Sequence, residues 1–363
     1  MTFSHHNAAH HLDNEDKPNL NGFAQDLYST IIEGRSQENV IYSPAAIHSA
    51  ISLAYIAAEG ETAEKLRHDL KLGAGDKLQV AKYFAEFLQK SFRSNQKEYA
   101  PEVRMANRLY NSDDLDITAE FKKIARDYLE TETETIKFSE PDLALKEINA
   151  WLEQQTAGKI QNILKPSDID AHTTTLLVNG VYFKGAWLKP FSPLNTKTAP
   201  FFLKEKQPQQ DIELMYNRNQ FRYAELPELN AFALELPYNN SDFSMLIILP
   251  LEASGLEQLE TKLKTQDLNE IASKLQDTYV DVYLPKFRLN YDLNMKAIVT
   301  QMGLSYIFSP ESNFEAYFAK PPKRNRSESL KHQAYLDVNE YGSEAAASSC
   351  KKTSNYSLKS ISF

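Results

Sequence analysis

Asp337-Val338-Asn339-Glu340-Tyr341-Gly342-Ser343-Glu344-Ala345-Ala346-Ala347-Ser348-Ser349 is the most unusual stretch of the chain. One glycine is followed by small residues, with Glu344 the only large side chain from Ser343 to Ser349. Laid down as a strand, Ser343, Ala345, Ala347 and Ser349 face one side, and Glu344, Ala346 and Ser348 face the other. The first face is small and uncharged throughout. Such a strand can slide between two existing strands without opening a large gap or burying a charge. Gly342 supplies a hinge that reaches φ values closed to other residues. Composition alone favours a plainer reading, an alanine-rich linker or helix, so the rest of the chain has to decide.

Composition supports a globular chain. Of 363 residues 42% are hydrophobic, including 19 Phe and 19 Tyr, enough for a sizeable core. The net charge of -9 argues against work on phosphates or anionic lipid, so nucleic acid and membrane surfaces are not expected partners. Cys350 is the single cysteine, which excludes an intrachain disulfide and a cysteine-based metal site. Residues 1–18 (MTFSHHNAAHHLDNEDKP) are polar and aperiodic and read as a disordered lead-in to one domain over 19–363. His5, His6, His10 and His11 give this tract a metal-binding composition, but no metal or cofactor is expected. The tract has no apolar core of the kind a secretory signal needs, which favours the cytoplasm; a different true start would restore secretion.

Periodicity begins near residue 19. Phe23, Leu27 and Ile31 recur at i, i+4, i+8 and predict an amphipathic helix over 21–32. From Pro44 to Ala57 almost no polar face remains, which predicts a buried helix, capped by Ser43 and broken at Gly60. Helical spacing returns over 119–129, with Thr118 as cap, and over 142–154. Leu176–Phe183 and Phe243–Leu249 are apolar runs that predict strands buried on both faces. Val280, Val282 and Leu284 alternate with Asp281 and Tyr283, the pattern of a half-exposed strand. Residues 319–329 read as a basic loop. Helices dominate the first part and strands the remainder, so the expected class is α+β.

No sequence signature of an enzyme occurs: no G-x-S-x-G, H-E-x-x-H, phosphate-binding loop or C-x-x-C. Outside the lead-in, His48, His68, His172 and His332 are the histidines available to a dispersed triad, and a structural role is the simpler reading of each. The chain is not expected to be an enzyme.

The stretch from Asn339 to Ala347 resembles the proximal hinge of inhibitory serpins: Glu, any residue, Gly, Ser or Thr, Glu, then small residues. Asn39-Val40-Ile41-Tyr42-Ser43-Pro44, Ala106-Asn107-Arg108-Leu109-Tyr110, Leu177-Val178-Asn179-Gly180-Val181-Tyr182-Phe183-Lys184-Gly185-Ala186-Trp187 and Leu284-Pro285-Lys286-Phe287 are similar to further signatures of that family. The resemblance implies about nine helices around three β-sheets, with an exposed reactive-centre loop at about 340–360. It implies a single-use inhibitor of a serine protease: the loop is cleaved, an acyl-enzyme forms, and the loop inserts into the main sheet before hydrolysis. A non-inhibitory member, serving as carrier, chaperone or interaction protein, or an inactive form, is the alternative.

Residue roles follow from position in the resemblance. Glu340, Gly342, Ser343, Glu344, Ala345, Ala346 and Ala347 are the hinge. The bond to be attacked is Tyr356-Ser357, which suits a chymotrypsin-like or cathepsin-like pocket; Lys351 or Lys352, suited to a trypsin-like enzyme, is the rival. Ser43, Asn179 and His332 form a polar cluster beneath the point where the sheet opens, with Trp187 at its upper end. A monomer is expected. Three departures stand out. Ala46 occupies a position where the family commonly has serine. Lys351 falls on the inward parity of the loop, where insertion buries its charge. The sequence ends at Phe363, before the last two strands of the family's second sheet, which reads as an incomplete record.

Overall fold

Ser43 and Pro44 start the helix on which the fold is assembled. The computed structural model describes residues 17–35, 38–93, 100–201, 210–320, 328–343 and 359–360. Helix α1 (Leu20–Ile32) lays Phe23, Leu27 and Ile31 into the core, and α2 (Pro44–Ala57) follows. The Ser43 hydroxyl accepts the Ala46 N–H at 3.3 Å, and Pro44 needs no donor at that position. From Ala46 to Ala57 only Ala54 escapes full burial, so α2 is the sheathed helix that its sequence predicts. It ends three residues before Gly60, which starts α3 (Gly60–Asp69). The remaining helices are α4 (Lys77–Leu88), α5 (Ala119–Leu129), α6 (Pro141–Gln155), α7 (Leu256–Leu263), α8 (Leu268–Ser273) and α9 (Met295–Val299). Thr118 caps α5 through the Phe121 N–H.

The strands are β1 (Glu102–Ser112), β2 (Thr131–Ile136), β3 (Thr175–Ala186), β4 (Lys197–Phe201), β5 (Gln210–Leu226), β6 (Ala231–Pro237), β7 (Ser244–Pro250), β8 (Gln276–Pro285), β9 (Phe287–Asn294), β10 (Glu328–Asn339), β11 (Gly342–Ser343) and β12 (Lys359–Ser360). The first sheet has the order β2-β1-β3-β11-β10-β9. In the second, β12-β8-β5-β6-β7, the 17-residue β5 pairs with β8 along most of its length, with β4 at its start and with β6 at its end. Sharing β5 joins the expected second and third sheets into one hydrogen-bonded network. Nine α-helices lie around these sheets among the described residues.

Two strand expectations change. Strand β7 is buried only at Ser244 and Met245, because it pairs with β6 alone and forms an edge. Asp281, expected to face solvent, is 5% exposed; the Tyr216 hydroxyl donates to its carboxylate at 2.6 Å, and Arg218 stands 4.0 Å away. Residues 1–16 of the lead-in, with its four histidines, and 321–327 of the basic loop lie outside the described residues.

The core lies on both faces of the first sheet. Its inner face packs α2, α1 and α9, with Leu109, Leu177 and Leu293 contributed by the strands. Its outer face packs α6 and the linker that follows: Ile148 and Leu152, then Ile160, Ile163, Leu164 and Ile169, rest on Tyr110, Val178, Tyr182 and Tyr335. Asn149 fixes the linker to the helix. Its side-chain amide donates to the Leu164 carbonyl at 3.1 Å, and its Oδ1 accepts the Leu164 N–H at 2.9 Å.

Asn149→Ala strips both buried backbone groups of their partner, an expected loss of about 1–3 kcal/mol. The urea midpoint should fall with an unchanged slope; an unmoved midpoint would show that the linker is held by its apolar contacts alone.

Candidate functional site

Strands β3 and β10 run parallel and pair from Thr175 with Glu328 up to Tyr182 with Tyr335. Parallel neighbours in one sheet ordinarily leave no room for a further strand between them. Here they part above Tyr182 and Tyr335, and β11 fills the gap, pairing antiparallel with Ala186 and Gly185 on one side and with Asn339 and Val338 on the other. Gly342 and Ser343 of the predicted hinge therefore stand as a strand at the head of the β3/β10 seam.

The seam is closed on its inner face by a row of polar side chains at one register. His332 lies opposite Asn179, and Asn179 opposite Asn107, so the row crosses β10, β3 and β1. The Ser43 backbone N–H donates to His332 Nε2 at 3.3 Å, which leaves the ring proton on Nδ1, hydrogen-bonded to Asn179 Oδ1. The Asn179 amide in turn donates to Asn107 Oδ1 and, at 3.5 Å, to the Ala46 carbonyl. Asn179 and His332 are 1% and 0% exposed, so each hydrogen bond stands in for water that cannot reach it. Burial holds the His332 imidazole neutral, pushing its pKa down from 6.5 to about 3. A protonated ring would turn an N–H toward the Ser43 N–H.

The structure brings Ser43, Asn179 and His332 into one hydrogen-bonded group. Ser43 enters through its backbone, because its hydroxyl is committed to capping α2. Asn107 is the member that sequence reasoning left out of the cluster. Its Nδ2 has no partner among the described residues.

The hinge is anchored above this row. Chain direction reverses between Asn339 and Gly342. The Phe191 N–H donates to the Glu340 carbonyl at 2.8 Å, and the Trp187 N–H donates to the Tyr341 carbonyl at 2.9 Å. Trp187 Nε1 donates to the Asn339 carbonyl at 3.0 Å, and its ring stacks on Tyr238 at 4.6 Å. The Tyr238 hydroxyl shares a 2.6 Å hydrogen bond with Ser343 Oγ, so Trp187 and Tyr238 hold both ends of the turn. Glu340 is 6% exposed; it accepts from Thr196 Oγ1 at 2.8 Å and pairs with Lys286 Nζ at 3.4 Å. Burial opposes its ionisation, but its own backbone N–H, Thr196 and Lys286 outweigh that and hold the carboxyl below the usual range. Gly342 adopts φ +153°, and a Cβ there would stand 2.0 Å from the Gly185 carbonyl oxygen, so only glycine fits. Thr196, Tyr238 and Lys286 carried no sequence signal as site residues, since each meets the hinge only through the fold. Glu344, Ala345, Ala346, Ala347, Lys351, Lys352, Tyr356 and Ser357 lie outside the described residues.

A mixed α+β fold, with a main sheet whose central pair parts to admit the start of a C-terminal loop, defines a class. Comparison with known proteins agrees. The family profile described as "Serpin (serine protease inhibitor)" matches residues 18–363. A leukocyte elastase inhibitor from Xenopus tropicalis is 32% identical over 90% of this chain and 86% of its own length. The crystal structure of Serpin48, described as a highly specific serpin of the insect Tenebrio molitor, superposes with a TM-score of 0.85 at 29% identity, covering 98% of this chain and 93% of that one. Human thyroxine-binding globulin, solved in complex with thyroxine, gives a TM-score of 0.82 at 25% identity, covering 91% of this chain and 87% of that one. The chain belongs to the serpin family.

The buried histidine makes the fold sensitive to acid. The folded pKa of His332 lies below the unfolded one, so between pH 6.5 and about 3 the unfolded chain binds the extra proton. Stability is therefore full above pH 6.5 and falls as pH drops through that window, by up to ~1.4 kcal/mol per unit from this group. His48, also buried and pushed down to about 4, adds to the slope. His332→Gln is expected to flatten the pH dependence of urea stability between pH 6.5 and 4 by nearly one proton; a variant with the wild-type slope would exclude this residue as its source.

Proposed function

We propose that the chain is a single-use inhibitor of a serine protease that acts by inserting its loop into the first sheet. The observation that carries this reading is β11: the first hinge residues already stand between β3 and β10, in the register that an inserted strand continues. Ser343 pairs with Gly185 and Val338, so each further loop residue meets partners one position lower on both strands. Six residues on, Ser349 would reach Asn179 and His332, the pair that closes the seam. Its hydroxyl is small enough to enter and polar enough to take over their hydrogen bonds. Ala345 and Ala347 would pass on the same inner face with no charge to bury. Strain in a sheet that can accept another strand supplies the driving force.

The chemistry belongs to the protease. Its serine oxygen attacks the Tyr356 carbonyl carbon, the bond to the Ser357 nitrogen breaks, and that amine leaves with the proton transferred through the protease histidine. An ester between protease and Tyr356 remains. If insertion outruns hydrolysis, the ester is carried away on the moving strand and its active site is distorted. Tyr356 suits a chymotrypsin-like or cathepsin-like enzyme; cleavage at Lys351 or Lys352 would assign a trypsin-like one.

A second reading, a non-inhibitory serpin, is favoured by one feature. In the same register Lys351 would arrive between Leu177 and Leu330, which line an apolar cavity of about 110 Å³ under the seam. An ammonium group costs several kcal/mol there unless it finds a partner, which slows insertion and lets hydrolysis win.

Incubated with chymotrypsin, the protein is expected to give an SDS-stable complex and a released peptide beginning at Ser357. Lys351→Ala should raise the ratio of complex to cleaved inhibitor by on the order of tenfold, if about 1.4 kcal/mol of barrier is removed. Clean cleavage without complex in both proteins would support the second reading.

A further inference from the structure

We propose that the ion pair between Lys331 and Asp168 is a latch across the β3/β10 seam, and that its rupture sets the rate of loop insertion. This inference rests on the insertion reading above and names residues that control it.

Lys331 projects from β10 on the outer face, the side opposite His332, and its register neighbours are Val178 on β3 and Asn294 on β9. Its Nζ lies 2.7 Å from Asp168 Oδ1, with the two side chains only 12% and 14% exposed. Asp168 sits in the linker between α6 and β3, and its other oxygen accepts the Lys165 N–H at 2.8 Å, which fixes the carboxylate. At one end this linker is bound to α6 by Asn149, and α6 rests on β1, where Trp151 lies 4.4 Å from the Arg108 guanidinium. At the other end it reaches β10 through Lys331 and β9 through Lys165, 3.9 Å from Asp292. The linker is therefore a strap, tied to β1 and β3 on one side of the seam and to β10 and β9 on the other.

Adding a strand between β3 and β10 moves them apart by one interstrand spacing, about 4.8 Å. A contact of 2.7 Å does not survive that displacement while Asp168 stays with the β3 side. Either the pair breaks or the strap lifts off the sheet. The pair therefore contributes to the closed state and is lost on the way to the inserted one, so it slows insertion in proportion to its strength. Removing one partner leaves a buried charge that is relieved on opening. Removing both takes that penalty away but still leaves the seam without its latch.

The test uses the full-length protein and a synthetic peptide with the sequence of residues 343–354, carrying serine in place of Cys350. Peptide uptake into the seam is followed by native mass spectrometry, with no protease present. Lys331→Met and Asp168→Asn are each expected to speed uptake by on the order of tenfold, while the double variant, which also lacks the latch, stays faster than wild type but no faster than either single variant. That non-additivity separates a charge latch from lost packing, which would make the two effects add. Thermal unfolding of each variant verifies that it is folded, and Lys331→Arg, which keeps the pair, should stay within about threefold of wild type. Single variants that take up peptide at the wild-type rate, or effects that simply add, would overturn the latch. A wild-type protein that takes up no peptide would overturn the insertion reading itself and the latch with it.

Discussion

The seam between β3 and β10 is the constraint on which the molecule depends. It has to be closed for the first sheet to bury α2 on one face and α6 with its strap on the other. It also has to be the weakest line in the sheet if a strand is to enter. The two demands are met by different means at different heights. At the top, β11 already fills the gap, and Gly342 is the residue that lets the chain turn into it. In the middle, the row of His332, Asn179 and Asn107 replaces apolar packing with directional hydrogen bonds. Apart from the Asn107 Nδ2 group these are satisfied when closed and would be costly when half open, so on the proposed reading the seam yields as a two-state element rather than gradually.

Much of this was legible in the sequence, and the boundary of what was legible has a physical cause. The buried helix, the small-residue stretch after Gly342 and the cap at Ser43 are local: each depends on neighbours in the chain, and pattern reports them. Asn179 and His332 came from a family resemblance, and the structure places them at one register of adjacent strands. Asn107, Lys286, Thr196 and Tyr238 were not legible as site residues, because what makes them so is strand order and the direction in which the hinge turns. Asp281 shows the same limit. An acidic residue at an alternating position reads as solvent-facing until the second strand, with Tyr216 and Arg218, comes beside it. The loop parity assigned to Lys351 acquires its meaning only from the register of β11, because an inserted strand continuing that register would bring it between Leu177 and Leu330.

The same fold accommodates two kinds of relative, an inhibitor of a leukocyte elastase and a globulin solved with thyroxine, so the fold alone does not choose between them. What tilts this chain toward inhibition is the composition of the residues that would enter first. Ser343, Ala345, Ala347 and Ser349 offer the sheet nothing it must reject. What pulls the other way is the Lys351 ammonium, the one of the loop's lysines at inward parity among the small residues. On the proposed reading the balance is kinetic: the rate at which the seam yields against the rate at which an ester is hydrolysed.

The central claim is that the seam accepts the loop. Its most direct test is thermal unfolding of the protein before and after its loop is cut within residues 344–358 by a protease of broad specificity, with the fragments left associated. Insertion adds a full strand to the first sheet, so the account predicts a rise in the unfolding midpoint of about 4 °C or more, as expected for a gain of a few kcal/mol in a chain of this size. An unchanged or lowered midpoint after complete cleavage would mean that the seam stays shut, and would contradict the account.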